Sequence, residues 1–268
     1  VHFSFRAFVV KKEMFNMISE PFAIGNSIVH QLDPRIRVVL TSVYAFVVAL
    51  SYNFSVLILA LALSSVLVVI SRVSFKAVLR RIIWVNAFIL LIWLILPFTF
   101  KGEALAHIGS FAIYRPGVVL AAQITLKSYA ILLAFIALIA TMPFATLGHA
   151  LYCLRVPEKM VHLLLMTYRY VFVIEQEYLR LLRAAKIRGF RPGTNSNTYR
   201  TYSYVVGMLF VRAAARAERV HQAMLCRGFK GKFYSLQEFH VGIASWMFGL
   251  IMTAMIVGLA LMEWYNPN

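Results

Sequence analysis

From Val38 to Ser71 the chain runs 34 positions without a charged side chain. A straight helix of that length would measure about 51 Å, against about 30 Å for the hydrocarbon core of a bilayer. The run must therefore fold back, and Ser51-Tyr52-Asn53 is the polar cluster at which it can turn. Two short helices follow, over roughly 36–51 and 54–71, with a single long tilted helix as the weaker alternative. Three more apolar runs have the length of membrane spans: Ile82 to Phe100, Gly117 to Met142 and Val241 to Met262. Lys127 interrupts the second of these, in a structural role, inward-facing or snorkelling, because no span holds an acid to pair with it. Trp264 and Tyr265 flank the third as interfacial anchors. The basic, amphipathic residues 72–81 read as a connector, and Lys101 to Pro116 as a polar loop. Residues 1–37, with Arg6, Lys11, Lys12, Arg35 and Arg37, are too short and too interrupted to span.

Between Pro143 and His240 the pattern changes to three amphipathic helices. The first, Pro143 to Leu154, is closed by Arg155-Val156-Pro157. The second, Glu158 to Arg188, carries a stripe of Leu164, Tyr168, Val171, Glu175, Tyr178, Leu182 and Ala185 in steps of three and four. The third, about Thr198 to Arg227, has Val206, Phe210, Ala213, Ala217, Val220 and Met224 on its stripe, while Arg212, Arg216 and Arg219 line another face. Ala213 and Ala217 are small enough for a second helix to cross closely. These helices are too charged to span a membrane and too apolar to stand alone in water.

Composition agrees with this division. Of the 268 residues 61% are hydrophobic, mean hydropathy is +0.77, and the net charge of +17 must sit outside the lipid. Lys and Arg number 5 in residues 1–37, 4 in 72–81 and 15 in 143–240, but only 2 in 101–115. Alternate connections are thus strongly basic, which predicts that the N-terminus and residues 143–240 are cytoplasmic and the C-terminus is outside. The first 35 residues place Lys11, Lys12 and Glu13 where the apolar core of a signal peptide would lie. Cys153 and Cys226 make no disulfide framework and read as isolated thiols.

The two long helices end alike, 39 positions apart. Arg180-x-x-x-Ala184-x-x-x-Arg188-Gly189-Phe190-Arg191 is matched by Arg219-x-x-x-Ala223-x-x-x-Arg227-Gly228-Phe229-Lys230. Spacing of four puts Arg, Ala and Arg on one helix face, and the Gly stops the helix. A cation before a terminal Gly is ordinary capping when it occurs once. Two copies in one register, each with the same Phe at a loop tip, point to two equivalent receptors. Other chemistry is absent from the sequence. No Gly-x-x-x-x-Gly-Lys-Ser/Thr loop is present to bind ATP, and the seven histidines show no metal-ligand spacing with Cys, Asp or Glu. No nucleophile–base constellation is apparent. Residues 143–240, with 15 basic and 5 acidic side chains, suit anionic lipid headgroups and an acidic partner surface better than nucleic acid.

These residues resemble the transmembrane T component of energy-coupling factor transporters, a branch of the ATP-binding-cassette importers. In that family two coupling helices end in Arg-Gly motifs that dock on two ATPase subunits; Arg188-Gly189 and Arg227-Gly228 are the matching positions. The usual triplet begins with Ala, and this chain has Ile187 and Cys226 instead. Asp33-Pro34-Arg35, Lys127 and Thr141-Met142-Pro143 are similar to family features, and Tyr168-Arg169-Tyr170 and Arg216-Ala217-Glu218-Arg219-Val220 most resemble the cobalt/nickel branch.

The resemblance implies an all-α polytopic protein with about five transmembrane helices. Its parts would be an N-terminal segment 1–37, four spans in 38–142, coupling helices in 143–240, and a last helix with its tail in 241–268. The implied function is energy coupling in an ATP-driven cobalt or nickel importer of a prokaryotic cytoplasmic membrane. The chain itself would be no enzyme. The docking residues would be Arg188, Gly189, Phe190, Arg227, Gly228 and Phe229, supported by Arg180, Ala184, Arg219 and Ala223. Expected partners are two ATPases, which would hold ATP and Mg, a membrane substrate-binding subunit that would hold any metal, and the bilayer; no nucleic acid is expected. The alternatives are a T component for a vitamin, a substrate-translocating permease of another type, and a membrane-anchored enzyme or scaffold.

Overall fold

A computed structural model describes Val29 and residues 32–99, 104–108, 111–230 and 242–265. Most of the expected N-terminal segment, and the end of the 143–240 stretch from 231 onward, lie outside the described residues. Among the described residues eight helices and one two-stranded hairpin form: α1 Pro34–Leu50, α2 Phe54–Ile70, α3 Phe75–Thr99, β1 Ala104–Ile108, β2 Phe111–Tyr114, α4 Arg115–Leu138, α5 Phe144–Cys153, α6 Glu158–Ile187, α7 Ser196–Cys226 and α8 Ile243–Tyr265. The chain divides into two compact units, Val1–Ala150 with Phe239–Asn268, and Leu151–Glu238.

In the first unit, the 34-residue uncharged run folds back at Ser51-Tyr52-Asn53 into two 17-residue helices. Asp33 starts α1 as its N-cap, accepting from the Arg35 amide at 2.9 Å, with Pro34 opening the first turn. Ser51 helps to stop α1 by donating its hydroxyl to the Val47 carbonyl at 3.0 Å. The core lies where α1, α2 and α4 cross. There the Tyr44 hydroxyl, fully buried, donates to the Ala60 carbonyl at 2.8 Å, and Ser64 Oγ bridges on to the Ala130 carbonyl at 2.8 Å. Ala60, Ala130, Ala134 and Ala137 are all fully buried, and their small size is what lets the backbones approach. Segments Val78–Pro97, Arg115–Leu138 and Ile243–Tyr265 are long and apolar enough to cross a membrane, while α2 is apolar but shorter. Apart from the one short hairpin the described residues are helical, and the protein is an all-α, polytopic membrane protein.

Three expectations require correction. The connector expected at 72–81 shrinks to Ser71–Ser74, because nothing between Phe75 and Arg81 breaks a helix, and α3 absorbs the basic residues into its first turns. Arg72, at φ 50°, makes the turn instead. The loop expected at 101–116 contains an antiparallel hairpin, with Ile108 opposite Phe111 and Ala104 opposite Tyr114. The strand-forming residues either side of Gly109-Ser110 explain it. Finally, α4 stops at Leu138 rather than Met142: Pro143 disfavours a helical Met142, and Thr141 turns its hydroxyl back to the Ala137 carbonyl at 2.9 Å.

Helix α3 leans on α4 through close backbone approach. A Cβ at Gly117 would lie 2.5 Å from the Leu96 carbonyl oxygen and 2.9 Å from Pro97 Cα. Above it Trp93 Nε1 donates to Thr125 Oγ1 at 3.0 Å, and the Tyr129 hydroxyl bonds Asn86 Oδ1. Lys127 donates to the Ala49 carbonyl at 2.9 Å and lies 4.3 Å from the centre of the Tyr52 ring. Because α8 runs on to Tyr265, it also contributes an acid, Glu263, which accepts from the Tyr52 amide at 2.7 Å and the Asn53 amide at 3.4 Å.

The second unit holds α6 and α7, of 30 and 31 residues. Within these two helices only Val161, Thr198 and Val205 are buried, whereas Phe210 is 73% exposed. Such a pair leaves much apolar surface for other molecules to cover.

Candidate functional site

The 39-residue repeat is a repeat of geometry as well as of letters. At the end of α6, Phe190 N donates to the Ala185 carbonyl and Gly189 N to the Lys186 carbonyl, both at 3.1 Å. At the end of α7, Phe229 N donates to Met224 at 3.1 Å and Gly228 N to Leu225 at 2.9 Å. Each is a Schellman cap, in which two overlapping bonds satisfy the last carbonyls of the helix. Gly189 and Gly228 sit in the left-handed region at φ 87° and 78°. A side chain there costs roughly 1–2 kcal/mol. An added Cβ at either glycine would meet nothing within 4 Å, so the turn demands glycine and crowding within this chain does not.

The caps leave their cations outward. Arg188 and Arg227 are the capping residues themselves, and both are exposed, as are Arg180, Ala184, Arg219 and Ala223. Phe190 and Phe229 are half-buried; the Phe190 ring meets Tyr202 of α7 edge-on, centroids 5.7 Å apart. Ile187, 87% exposed, and Cys226, also exposed, precede the capping arginines and point to the exterior rather than into α6–α7 packing. The six expected docking residues therefore form two tips of the same construction, one at each helix end.

Sequence reasoning missed what joins the helices behind the tips. The expected stripe on α6 contributes no residue to the groove between α6 and α7. Met166, Tyr170 and Val173 instead border this groove, of about 350 Å³, opposite Ala213, Ala217 and Val220 of α7. Arg212 and Arg216, expected on another face, also border it. Across the groove Arg212 donates to Glu177, whose other oxygen lies 3.5 Å from Arg180. The hydrogen bond from Arg212, with the charges of Arg212, Arg180 and Arg216, outweighs desolvation and holds the Glu177 carboxyl below its usual range. The signal available in the sequence was scarcity, since an acid among so many arginines seldom stays unpaired. Among the described residues no cluster of three His, Cys, Asp or Glu could hold a metal ion.

Residues 25–238 match the family CbiQ, described as cobalt transport protein. The chain belongs to this family. A relative from Bacillus subtilis, the energy-coupling factor transporter transmembrane protein EcfT, is 28% identical over 231 residues, covering 81% of this chain and 86% of its own. A protein of the same description from Acidaminococcus fermentans is 27% identical over 261 residues, covering 91% and 95%. A putative fused cobalt transport protein, CbiMQ, from Methanocorpusculum labreanum is 30% identical over 175 residues, which are 63% of this chain and 29% of that protein. The resemblance to EcfT-type transmembrane components thus holds over most of the CbiQ-family chain. The family is one of transport components, not of enzymes.

Proposed function

We propose that this chain is the energy-coupling membrane subunit of an ATP-driven importer of cobalt or nickel ions. In this reading α6 and α7 each dock one ATPase subunit by the tip at their C-terminal end, and ATP-driven closure of the two ATPases moves both helices. That motion passes to a separate membrane subunit that binds the substrate. The basic N-terminal segment and residues 143–240 face the cytoplasm, the C-terminus lies outside, and α1, α2, α3, α4 and α8 are the five spans.

The carrying observation is the pair of matched Schellman caps, each presenting an exposed arginine at a helix end. A receptor that fits one tip would fit the other, which favours two ATPases of similar build. The family's description and the fused cobalt transport relative support a transition-metal substrate. Arg188 and Arg227 supply charge-assisted hydrogen bonds, and truncating a buried one costs about 2–5 kcal/mol of binding. With both arginines changed to glutamate, ATPase subunits should no longer co-purify and uptake should stop. Unchanged co-purification and uptake would show that the tips do not dock.

A further inference from the structure

The largest fully buried side chain among the described residues is Arg37. It is 1% exposed, on the first turn of α1, and among the described residues no carboxylate lies within 4 Å of it. Its Nη2 donates to the Leu138 carbonyl and to Thr141 Oγ1, 101 and 104 residues later. Those acceptors are the end of α4. There the Ile139 and Ala140 amides both return to the Phe135 carbonyl, at 2.9 and 3.0 Å, and Thr141 covers the Ala137 carbonyl. The Leu138 carbonyl, which the Thr141 hydroxyl reaches only at 3.5 Å, is the one Arg37 takes, and a cation there also suits the negative end of the helix. The contrast with α6 and α7 is informative. Their ends close on a local glycine, whereas the end of α4 depends on a guanidinium from a different helix.

The neighbouring contacts extend the joint. Asp33, 5% exposed, receives the Arg35 amide on Oδ1, and its own amide donates to Ser245 Oγ of α8 at 3.0 Å. One buried node therefore joins the start of α1, the end of α4 and the start of α8. It also lies at the points in the chain where the second unit is attached. The first unit gives way to the second after Ala150, nine residues beyond Thr141, and resumes at Phe239, six residues before Ser245.

We propose that Arg37 is a positioning residue for energy coupling. It keeps the end of α4 closed, so that displacement arriving from residues 151–238 moves α1, α4 and α8 together instead of unwinding the last turn of α4. This rests on the reading of α6 and α7 as ATPase-docking helices. A merely structural arginine would loosen the bundle whatever the ATPases did; a coupling arginine matters when they close.

The test is hydrogen exchange on the full complex with its ATPases, with and without ATP and vanadate, read on the amides of residues 139–147. The wild type should be equally protected in both states. In Arg37→Met, and in Thr141→Val, exchange should rise in both states, but about tenfold more with nucleotide than without it. Arg37→Lys, which can still donate, should fall between. Rates that do not change in any variant, or that rise equally without nucleotide, would overturn the proposal. If Arg37→Met fails to assemble, Thr141→Val keeps the side-chain volume and decides between the same two outcomes. A wild-type chain that retains no ATPase would sink the docking reading, and this proposal with it.

Discussion

At the level of single residues, Gly189 and Gly228 separate two demands that one residue type can hide. The backbone needs a residue that tolerates positive φ, and asparagine meets that need better than any other side chain. A partner approaching the helix end would need open space, and only glycine offers it. Since a Cβ added at either position would meet nothing within 4 Å among the described residues, the two demands can be tested apart. Asparagine should cost about 1 kcal/mol per site in the thermal unfolding of the chain, the low end of the range for a side chain there, while weakening ATPase retention. Full retention would show that the glycines serve the turn alone. The capping geometry was legible in the sequence because a Schellman cap is local, encoded in six consecutive residues. The Glu177–Arg212 pair was not, because pairing across two helices depends on their rotation, which a stripe of apolar residues underdetermines when only Val161 of α6 and Thr198 and Val205 of α7 are buried.

Among the elements, α3 and α4 depend on Gly117 in a way that sequence periodicity does not reveal. Here the constraint is crowding: a Cβ would press against backbone atoms of Leu96 and Pro97, which cannot rotate aside. Gly117→Ala should therefore destabilise the membrane unit by about 1–3 kcal/mol, seen as a lowered unfolding temperature in detergent. Gly249→Ala is the control. Its nearest neighbour would be Ile36 Cγ2 at 3.5 Å, an ordinary contact, and alanine favours a helix. An equal loss at both sites would refute the crowding argument. The fold-back at Ser51-Tyr52-Asn53 was legible because length forced it: a bilayer cannot hold 34 uncharged residues in one straight helix. The β1–β2 hairpin was not, because a short run of strand-formers between two spans looks the same as a loop when polar residues surround it.

For the whole molecule, the membrane unit is built from two stretches of chain that meet through α8. Ser245 holds the Asp33 amide near one end of that helix, and Glu263 holds the Tyr52 and Asn53 amides near the other. The 18 helical steps from one to the other span about 27 Å, close to the thickness of the hydrocarbon core. Glu263 also places a carboxylate at the start of α2, where the helix dipole favours it. Glu263→Ala should cost about 1.5–3 kcal/mol, measured by unfolding of the purified chain, since it removes an ionised acceptor from two backbone donors. No loss would mean that Glu263 does not help to hold α8. Nothing in the pattern of apolar residues announced this closure, because hydrogen bonds over 210 and 212 residues leave no local trace.

That closure has a consequence for biogenesis. A chain made from its N-terminus emerges with α1, α2, α3 and α4 long before Ser245 and Glu263 exist. Residues 151–238 are synthesised in the interval, so the hairpin of α6 and α7 is complete while the membrane unit still lacks its final helix. Until α8 inserts, the Asp33 amide and the Tyr52–Asn53 turn lack their closing partners. A chain ending after residue 240 would carry both capped helix ends and a membrane unit still without its last helix.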